Sequence, residues 1–415
     1  MSDEAQGPPS ALEGLRVLDL SGAMGNYCGK LFADMGADVI LVEPPAGSEL
    51  RQEPPFIGDV PGVERSLNFA YQNTSKRGIG LDLDTASGQR ILREIAATAD
   101  LVIETFPPGW LEARGLDYAS LARLRRQIVV ASITPFGQTG PYAQFGATDL
   151  VGLATGGLLY MGGYRDTAPT QAHGDQAFKC AAMYGAVAAM LAVTEAELSG
   201  HGQHVDVSMQ ECVTLALENA AQTYDLEGVV RQRPPGDQRF AGYGLFPCKD
   251  GYIYLGSRGI GNSPAWSRSL QWFKDEKMPG AERLFGPEWS DLDYLKGIEA
   301  REVFADLFIP WARQHSKAWL YSEGQKRLIP LAPVSTPADL VENPQLQARG
   351  HFVPFTHPLV AQAARMPGAP YVLSETPWKV RRPAPRLGEH TAEVLAEIGI
   401  APDEVARLFS AGVVA

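Results

Sequence analysis

Hydrophobic and polar positions follow two alternating habits along the first third of the chain. Short, nearly unbroken apolar runs occur at Val17-Leu18-Asp19-Leu20, Val39-Ile40-Leu41-Val42, Ile79 to Leu83, Leu101-Val102-Ile103-Glu104 and Ile128 to Ile133. Runs this short, apolar toward both sides, predict buried strands. Between them apolar residues recur every three or four positions, which predicts helices near Cys28–Met35, Ser87–Thr98 and Tyr118–Arg125, with Gly36 closing the first. Strand–helix–strand repetition with short connections predicts a parallel sheet covered by helices. A longer apolar, alanine-rich segment from Cys180 to Val193 is too short to span a bilayer and predicts a core helix.

The pattern changes after Val230. Arg231 to Gly244, with Pro234, Pro235, Gly236 and Gly242, predicts a loop or linker, and Tyr252-Ile253-Tyr254-Leu255 predicts a strand. Pro264 to Lys326 is helical in pattern and rich in Trp, as a separate smaller domain would be. Pro330 to Pro333 reads as a second linker, and Gly388 to Leu408 carries two helix patterns that return to the first domain. The expected fold is α/β. A large Rossmann-like parallel-sheet domain begins over 1–225, a small domain with its linkers occupies 226–330, and 331–415 completes the large domain.

Composition narrows the function classes. Hydrophobic content of 45% with 20% charged residues is that of a soluble globular protein. A net charge of −12 argues against nucleic acid, although a local basic pocket can still hold phosphates. Met1 to Pro9 has neither the basic nor the apolar region of a secretory signal, so a cytoplasmic location without membrane contact is expected. Cys28, Cys180, Cys212 and Cys248 are far apart and form no C-x-x-C pair, which suits free thiols in a reducing compartment. No H-E-x-x-H occurs, and Gly200 and Gly202 turn the segment bearing His201 and His204, so no metal is expected.

Candidate chemistry centres on His173-Gly174-Asp175-Gln176. A glycine-rich run from Ala154-Thr155-Gly156-Gly157 to Gly162-Gly163 precedes it, and the apolar helix follows. Asp175 either caps that helix or serves as a nucleophile, with the helix N-terminus and nearby N–H groups steadying negative charge. Gly22, Gly25 and Gly29 after the first strand invite a dinucleotide-binding reading, but a G-x-G-x-x-G from Gly22 would need glycine at Met24 and Tyr27. The sheet topology survives this failure and the NAD inference does not, leaving Glu43 as an exposed strand end. Arg51, Lys76, Arg77 and Arg114 lie in connections of the sheet. There they are either phosphate contacts or solvated surface cations.

With these residues in place the chain resembles the class III CoA-transferases, the group that includes formyl-CoA and carnitine CoA-transferases. The resemblance rests on Leu12-Glu13-Gly14-Leu15-Arg16-Val17-Leu18-Asp19, Gly36-Ala37-Asp38-Val39-Ile40 and Asn73-Thr74-Ser75-Lys76-Arg77. It continues through Phe136-Gly137-Gln138-Thr139-Gly140-Pro141-Tyr142, Gly202-Gln203-His204-Val205-Asp206-Val207-Ser208, Asn343-Pro344-Gln345 and Leu387-Gly388-Glu389-His390-Thr391. It implies that Asp175 is the catalytic aspartate and that Gly22, Ala23, Met24 and Gly25 form the loop holding the adenine end of CoA. Lys76, Thr105, Phe106 and Arg114 match further CoA-contacting positions, Thr134 stands where some members carry a Lys, and Met209 lines the same cleft. Gln138 and Tyr142 are implied to orient substrate. Gly25-Asn26-Tyr27 replaces the family's usual Ala-Gly-Pro, and Pro44-Pro45 replaces a basic residue after the second strand.

The resemblance also implies an interlocked dimer, each chain threading a hole in its partner, with a hetero-oligomer as the other arrangement. Its substrates would be an acyl-CoA and a carboxylic acid, with no tightly bound cofactor. The implied reaction passes CoA through an aspartyl anhydride and an aspartyl-CoA thioester, glycine-loop N–H groups holding the oxyanion. Two alternatives stand beside it. The family's α-methylacyl-CoA racemases pair the equivalent aspartate with a His before another Asp; here Thr148 precedes Asp149, and Thr is no general base near neutral pH. A non-catalytic CoA-binding subunit of a hetero-oligomer is the other. Tyr160, Tyr164 and Tyr243 are candidates to shape an acyl pocket.

Overall fold

A strand covered by helices on both faces has no polar side to show, and the apolar runs obey this. The computed structural model describes residues 9–257 and 264–415. The N-terminal stretch read for a signal therefore lies almost wholly outside the described residues. Six strands, β1 (Arg16–Leu20), β2 (Asp38–Glu43), β3 (Arg77–Gly80), β4 (Leu101–Glu104), β5 (Val129–Thr134) and β6 (His204–Ser208), form one sheet. Its order is β3-β2-β1-β4-β5-β6 and every neighbouring pair is parallel. Val17, Val39, Ile103, Val129 and Ile133 face one buried cluster, while Leu18, Ile40, Val102 and Val130 face another. The strand order reverses between β1 and β4, so a crevice opens at their carboxyl ends, where ligands bind in such sheets.

The helices of this unit are α1 (Asn26–Met35), α2 (Leu67–Gln72), α3 (Ala86–Ala96), α4 (Tyr118–Leu121), α5 (Asp149–Thr155), α6 (Leu158–Met161), α7 (Gln176–Ser199), α8 (Met209–Leu215) and α9 (Ala220–Glu227). Helix α7 has 24 residues and is apolar enough by length and composition to cross a membrane. Its small-residue face, Ala177, Ala181, Gly185, Ala189 and Ala192, is instead buried against the sheet. A Cβ on Gly185 would stand 2.6 Å from Ile133 Cδ1, so this close approach needs glycine. Met183, Val187, Leu191 and Leu198 remain exposed, so the helix belongs to the core along one face only.

Three expectations about elements are corrected here. The third strand is Arg77–Gly80 rather than Ile79–Leu83, because Leu81 leaves the ladder to bridge Val414. His204–Ser208 is a strand, and only the residues before it turn; at the sheet edge it is partly exposed and shows no continuous apolar run. The helix near Tyr118 ends at Leu121.

The chain divides into two compact units, residues 9–160, 171–228 and 350–415 against 161–170 and 229–349. The second holds a four-stranded sheet of β7 (Gln238–Phe240), β8 (Tyr243–Cys248), β9 (Gly251–Gly256) and β10 (Leu331–Pro333) in the order β10-β9-β8-β7. Helices α10 (Ala265–Asp275), α11 (Leu292–Lys296), α12 (Ile298–Ala312) and α13 (Lys317–Lys326) share its core through Trp272, Leu295, Trp311 and Leu320. Both stretches read as linkers thus supply strands, and residues 331–349 belong to this unit rather than to the return segment. The C-terminal helices at Thr391–Glu397 and Pro402–Ser410 bury Val394, Leu395 and Leu408 in the first unit's core.

Candidate active site

Asp175 stands where a capping residue would. It precedes α7, with Gly174 at φ +79° making the turn, yet its side chain accepts no capping hydrogen bond. The reason lies in another helix. Asp149, in the first turn of α5, accepts the Phe178 N–H through Oδ1 at 3.0 Å and also faces the Ala177 N–H. Those first-turn donors are therefore taken, and the Asp175 carboxylate is left half-buried and uncommitted. The expectation that these N–H groups would steady charge on Asp175 is corrected accordingly; the helix field remains. Burial raises the Asp149 carboxyl, the backbone donors oppose the rise, and the Asp175 charge adds to it.

Sequence reasoning missed two charged groups that act on Asp175, Lys179 and Glu53, and the Tyr27–Tyr71 ring pair on which Lys179 rests. Lys179 lies four residues on, one helical turn along the same face, and its Nζ sits 4.6 Å from the centre of the Tyr27 ring. Burial lowers it to about 8, against the pull of the Asp175 charge. Glu53 is raised, first by burial and then by Asp175. Tyr71 stacks on Tyr27 with ring centres 6.3 Å apart. The i, i+4 spacing of Asp175 and Lys179 was visible in the sequence; Glu53 and Tyr71 come from distant segments and gave no such signal.

The expected CoA-contacting residues separate into two groups. Thr105 Oγ1 accepts the Gly22 N–H at 2.8 Å, joining the turn after β1 to the loop after β4 at the crevice. A Cβ on Gly25 would stand 2.4 Å from Ser21 Cβ, which is why the turn needs glycine there. Ala23 is partly exposed on this turn. Phe106 stacks on Trp110 at 3.9 Å, and the Arg114 guanidinium lies 3.6 Å over the same indole, while its Nη2 pairs with Asp84.

The second group is spent inside the fold. Lys76 is fully buried, and its Nζ donates to Asp19 Oδ2 at 2.6 Å, Asn73 Oδ1 at 2.7 Å and the Asn26 carbonyl at 2.8 Å. No donor remains for a phosphate. Met24 and Met209 pack in the core, with Gly152 held small by the Met209 methyl, and Thr134 is buried in β5. Arg51 is buried in a bidentate pair with Glu43, at 2.8 and 2.7 Å, so neither is the surface group expected. Arg77 is held by Asp38, Glu393 and Glu397.

Gln138 donates its N–H to Asp206 at 3.0 Å and lines a cavity of about 330 Å³ with Glu104, Ser132 and His204. Burial pushes Glu104 up to about 7 there and lowers His204, whose Nε2 lies 2.8 Å from Ser132 Oγ. Tyr142 is exposed and packs on Phe136 and Phe145. Ala154 and Thr155 end α5 rather than forming a loop, and Gly162 and Gly163 belong to the second unit. There Tyr164 and Tyr243 line a cavity of about 970 Å³ with Arg239 and Arg301, whereas Tyr160 belongs to the first unit. Among the described residues all four cysteines are free and no cluster of His, Cys, Asp or Glu is placed to hold a metal.

Comparison with known proteins agrees with this architecture. The sequence model of CoA-transferase family III matches residues 12–391. Succinyl-CoA:(R)-benzylsuccinate CoA-transferase subunit BbsE of Thauera aromatica is 39% identical over 96% of this chain and 97% of its own. Succinate–glutarate CoA-transferase of Agrobacterium fabrum is 32% identical over 94% and 96%. A crystal structure of a CAIB/BAIF family protein from Brucella suis superposes with a TM-score of 0.81 at 29% identity, covering 94% of this chain and 99% of that one.

Proposed function

The chain belongs to CoA-transferase family III, and we propose that it transfers CoA through covalent catalysis by Asp175. The observation that carries this reading is the division of labour at the head of α7, where Asp149 caps and Asp175 stays free. A carboxylate oxygen of Asp175 attacks the donor thioester carbonyl; the C–S bond breaks, giving a mixed anhydride and CoA thiolate. The thiolate attacks the aspartyl carbonyl and expels the donor as its free carboxylate, leaving an aspartyl-CoA thioester. The acceptor carboxylate attacks that thioester and releases the thiolate, which then takes the acceptor acyl group and restores Asp175. No net proton is exchanged. Partial burial suits the step, since a desolvated carboxylate is the better nucleophile and both intermediates need shelter from water.

Succinyl-CoA is the proposed donor and a dicarboxylic acid the proposed acceptor, supported by the names of the relatives above. The racemase reading loses support from the site. Thr148 is exposed at the head of α5, and Asp149 is committed to capping. Association with a second chain is supported by the exposed Met183, Val187, Leu191 and Leu198 on α7. An interlocked homodimer is the form proposed. One observation favours a second reading, in which a different partner chain completes the enzyme: BbsE is named as a subunit. Steady-state assays of the purified chain with succinyl-CoA and dicarboxylic acids test the proposal. Turnover by the chain alone is expected, and turnover only after a second subunit is added would support the other reading.

A further inference from the structure

Three lysines, Lys30, Lys76 and Lys179, lie close enough to act on one another, and two of them are already paired. Lys30 donates to Asp34 Oδ2 at 2.7 Å and to Thr74, and Lys76 is bound to Asp19, Asn73 and the Asn26 carbonyl. Lys179 differs. Among the described residues its ammonium makes no ion pair and rests on the Tyr27 ring at 4.6 Å. Four residues of helix set it about 6 Å along the axis from Asp175, and helical side chains lean back toward the N-terminus, over the turn that holds Asp175. A half-buried cation that makes no ion pair among the described residues, beside a group that must react with an anionic acid, is placed to bind a carboxylate of that acid. We infer that Lys179 is the residue through which this site reads a second carboxylate on its acyl group, selecting dicarboxylic over monocarboxylic acids; the inference rests on the transferase reading above.

While Asp175 engages the reacting carbonyl, the remote carboxylate of a succinyl-type group reaches Lys179 across a short methylene spacer. Tyr27 lies under the Lys179 ammonium, and Tyr71 stacks on Tyr27 behind it. Glu53 faces the site as well, and its negative charge disfavours a second carboxylate at any position that Lys179 does not neutralise. Because burial lowers Lys179 to about 8, recognition of the second carboxylate weakens as pH rises through that value. The charged and titratable groups facing it are Asp175 at the head of its own helix, Tyr27 and Lys30 on α1, Asp149 on α5, and Glu53 and Lys76 from the connecting segments.

The test compares succinyl-CoA with butyryl-CoA, which has the same chain length but lacks the carboxylate, in the full-length wild type and in Lys179→Met and Lys179→Arg. Lys179→Met is expected to lower kcat/KM for succinyl-CoA on the order of 100-fold. Its value for butyryl-CoA should fall at least about tenfold less, so that the preference for succinyl-CoA collapses, with Lys179→Arg restoring most of it. The wild-type KM for succinyl-CoA should rise above pH 8, and that for butyryl-CoA should not. Equal losses for both donors in Lys179→Met would overturn the inference alone, assigning Lys179 to positioning Asp175, as would no loss for either. A folded wild type that transfers CoA from neither donor would overturn the transferase reading and this inference together.

Discussion

The end of β1 and the head of α7 each bring a lysine beside an aspartate, and the two pairs are used in opposite ways. Near the end of β1, Asp19 and Lys76, which precedes β3, are both fully buried and 2.6 Å apart, and their remaining donors and acceptors have partners. Gly29 must stay glycine because a Cβ there would stand 2.1 Å from Asp19 Oδ2. At the head of α7, Asp175 and Lys179 are half-buried on one helix face, and neither is tied to a charged partner among the described residues. A closed pair holds the crevice in shape, whereas an open pair keeps its charges for a visitor. Residue type alone does not tell the two apart; burial and satisfied partners do.

The largest effects should come from reversing these roles. Asp175→Asn is expected to cut turnover by at least about 10⁴-fold, because the nucleophile itself is removed. Stability should move by no more than about 0.5 kcal/mol, because the carboxylate caps nothing. A large loss of stability in that variant would mean that Asp175 is structural after all. Lys76→Met should do the converse, destabilising by about 3–5 kcal/mol in denaturant titration by leaving Asp19 charged and unpaired in the core. If that variant were as stable as wild type, Lys76 and Asp19 would not be the closed pair described.

Glu104 is an intermediate case, a buried carboxyl with no cation beside it among the described residues. Its folded value near 7 lies above the ordinary 4.5, so folding favours its protonated form. The resulting cost is absent below about pH 4.5, grows as pH rises and is complete above about pH 7. Glu104→Gln should therefore stabilise the protein above pH 7 by about 1–3 kcal/mol and leave stability near pH 4.5 unchanged, as read from Tm against pH. A pH-independent Tm difference would place Glu104 in a solvated setting. The smallest expected effect tests why the α7 pair is open. Asp149→Ala should cost about 1 kcal/mol of stability and lower turnover, since the freed Phe178 N–H would draw Asp175 into capping. Unchanged turnover would detach Asp175 from that competition.

The parallel sheet was legible because strands buried on both faces leave continuous apolar runs. β1, β2, β4 and β5 follow this rule. Where burial is one-sided the signal fades, which is why β6 at the sheet edge and the short β7 and β10 read as turn or linker. Asp175 stood out through its place between a glycine and an apolar helix. Its freedom from capping did not, because the competing acceptor lies 29 positions away in sequence from the N–H it takes. The cations show the same limit. Arg51 reaches the Pro385 carbonyl across 334 positions and Arg77 reaches Glu393 across 316, so their burial could not be read locally.

The most direct test of the account is intact-protein mass spectrometry of wild type and Asp175→Asn after mixing with succinyl-CoA, followed by hydroxylamine and peptide mapping. The account predicts a CoA-sized adduct on the wild type, converted to a hydroxamate at Asp175 and absent from the variant. Wild-type turnover with no adduct, or an adduct that persists in Asp175→Asn, would contradict it.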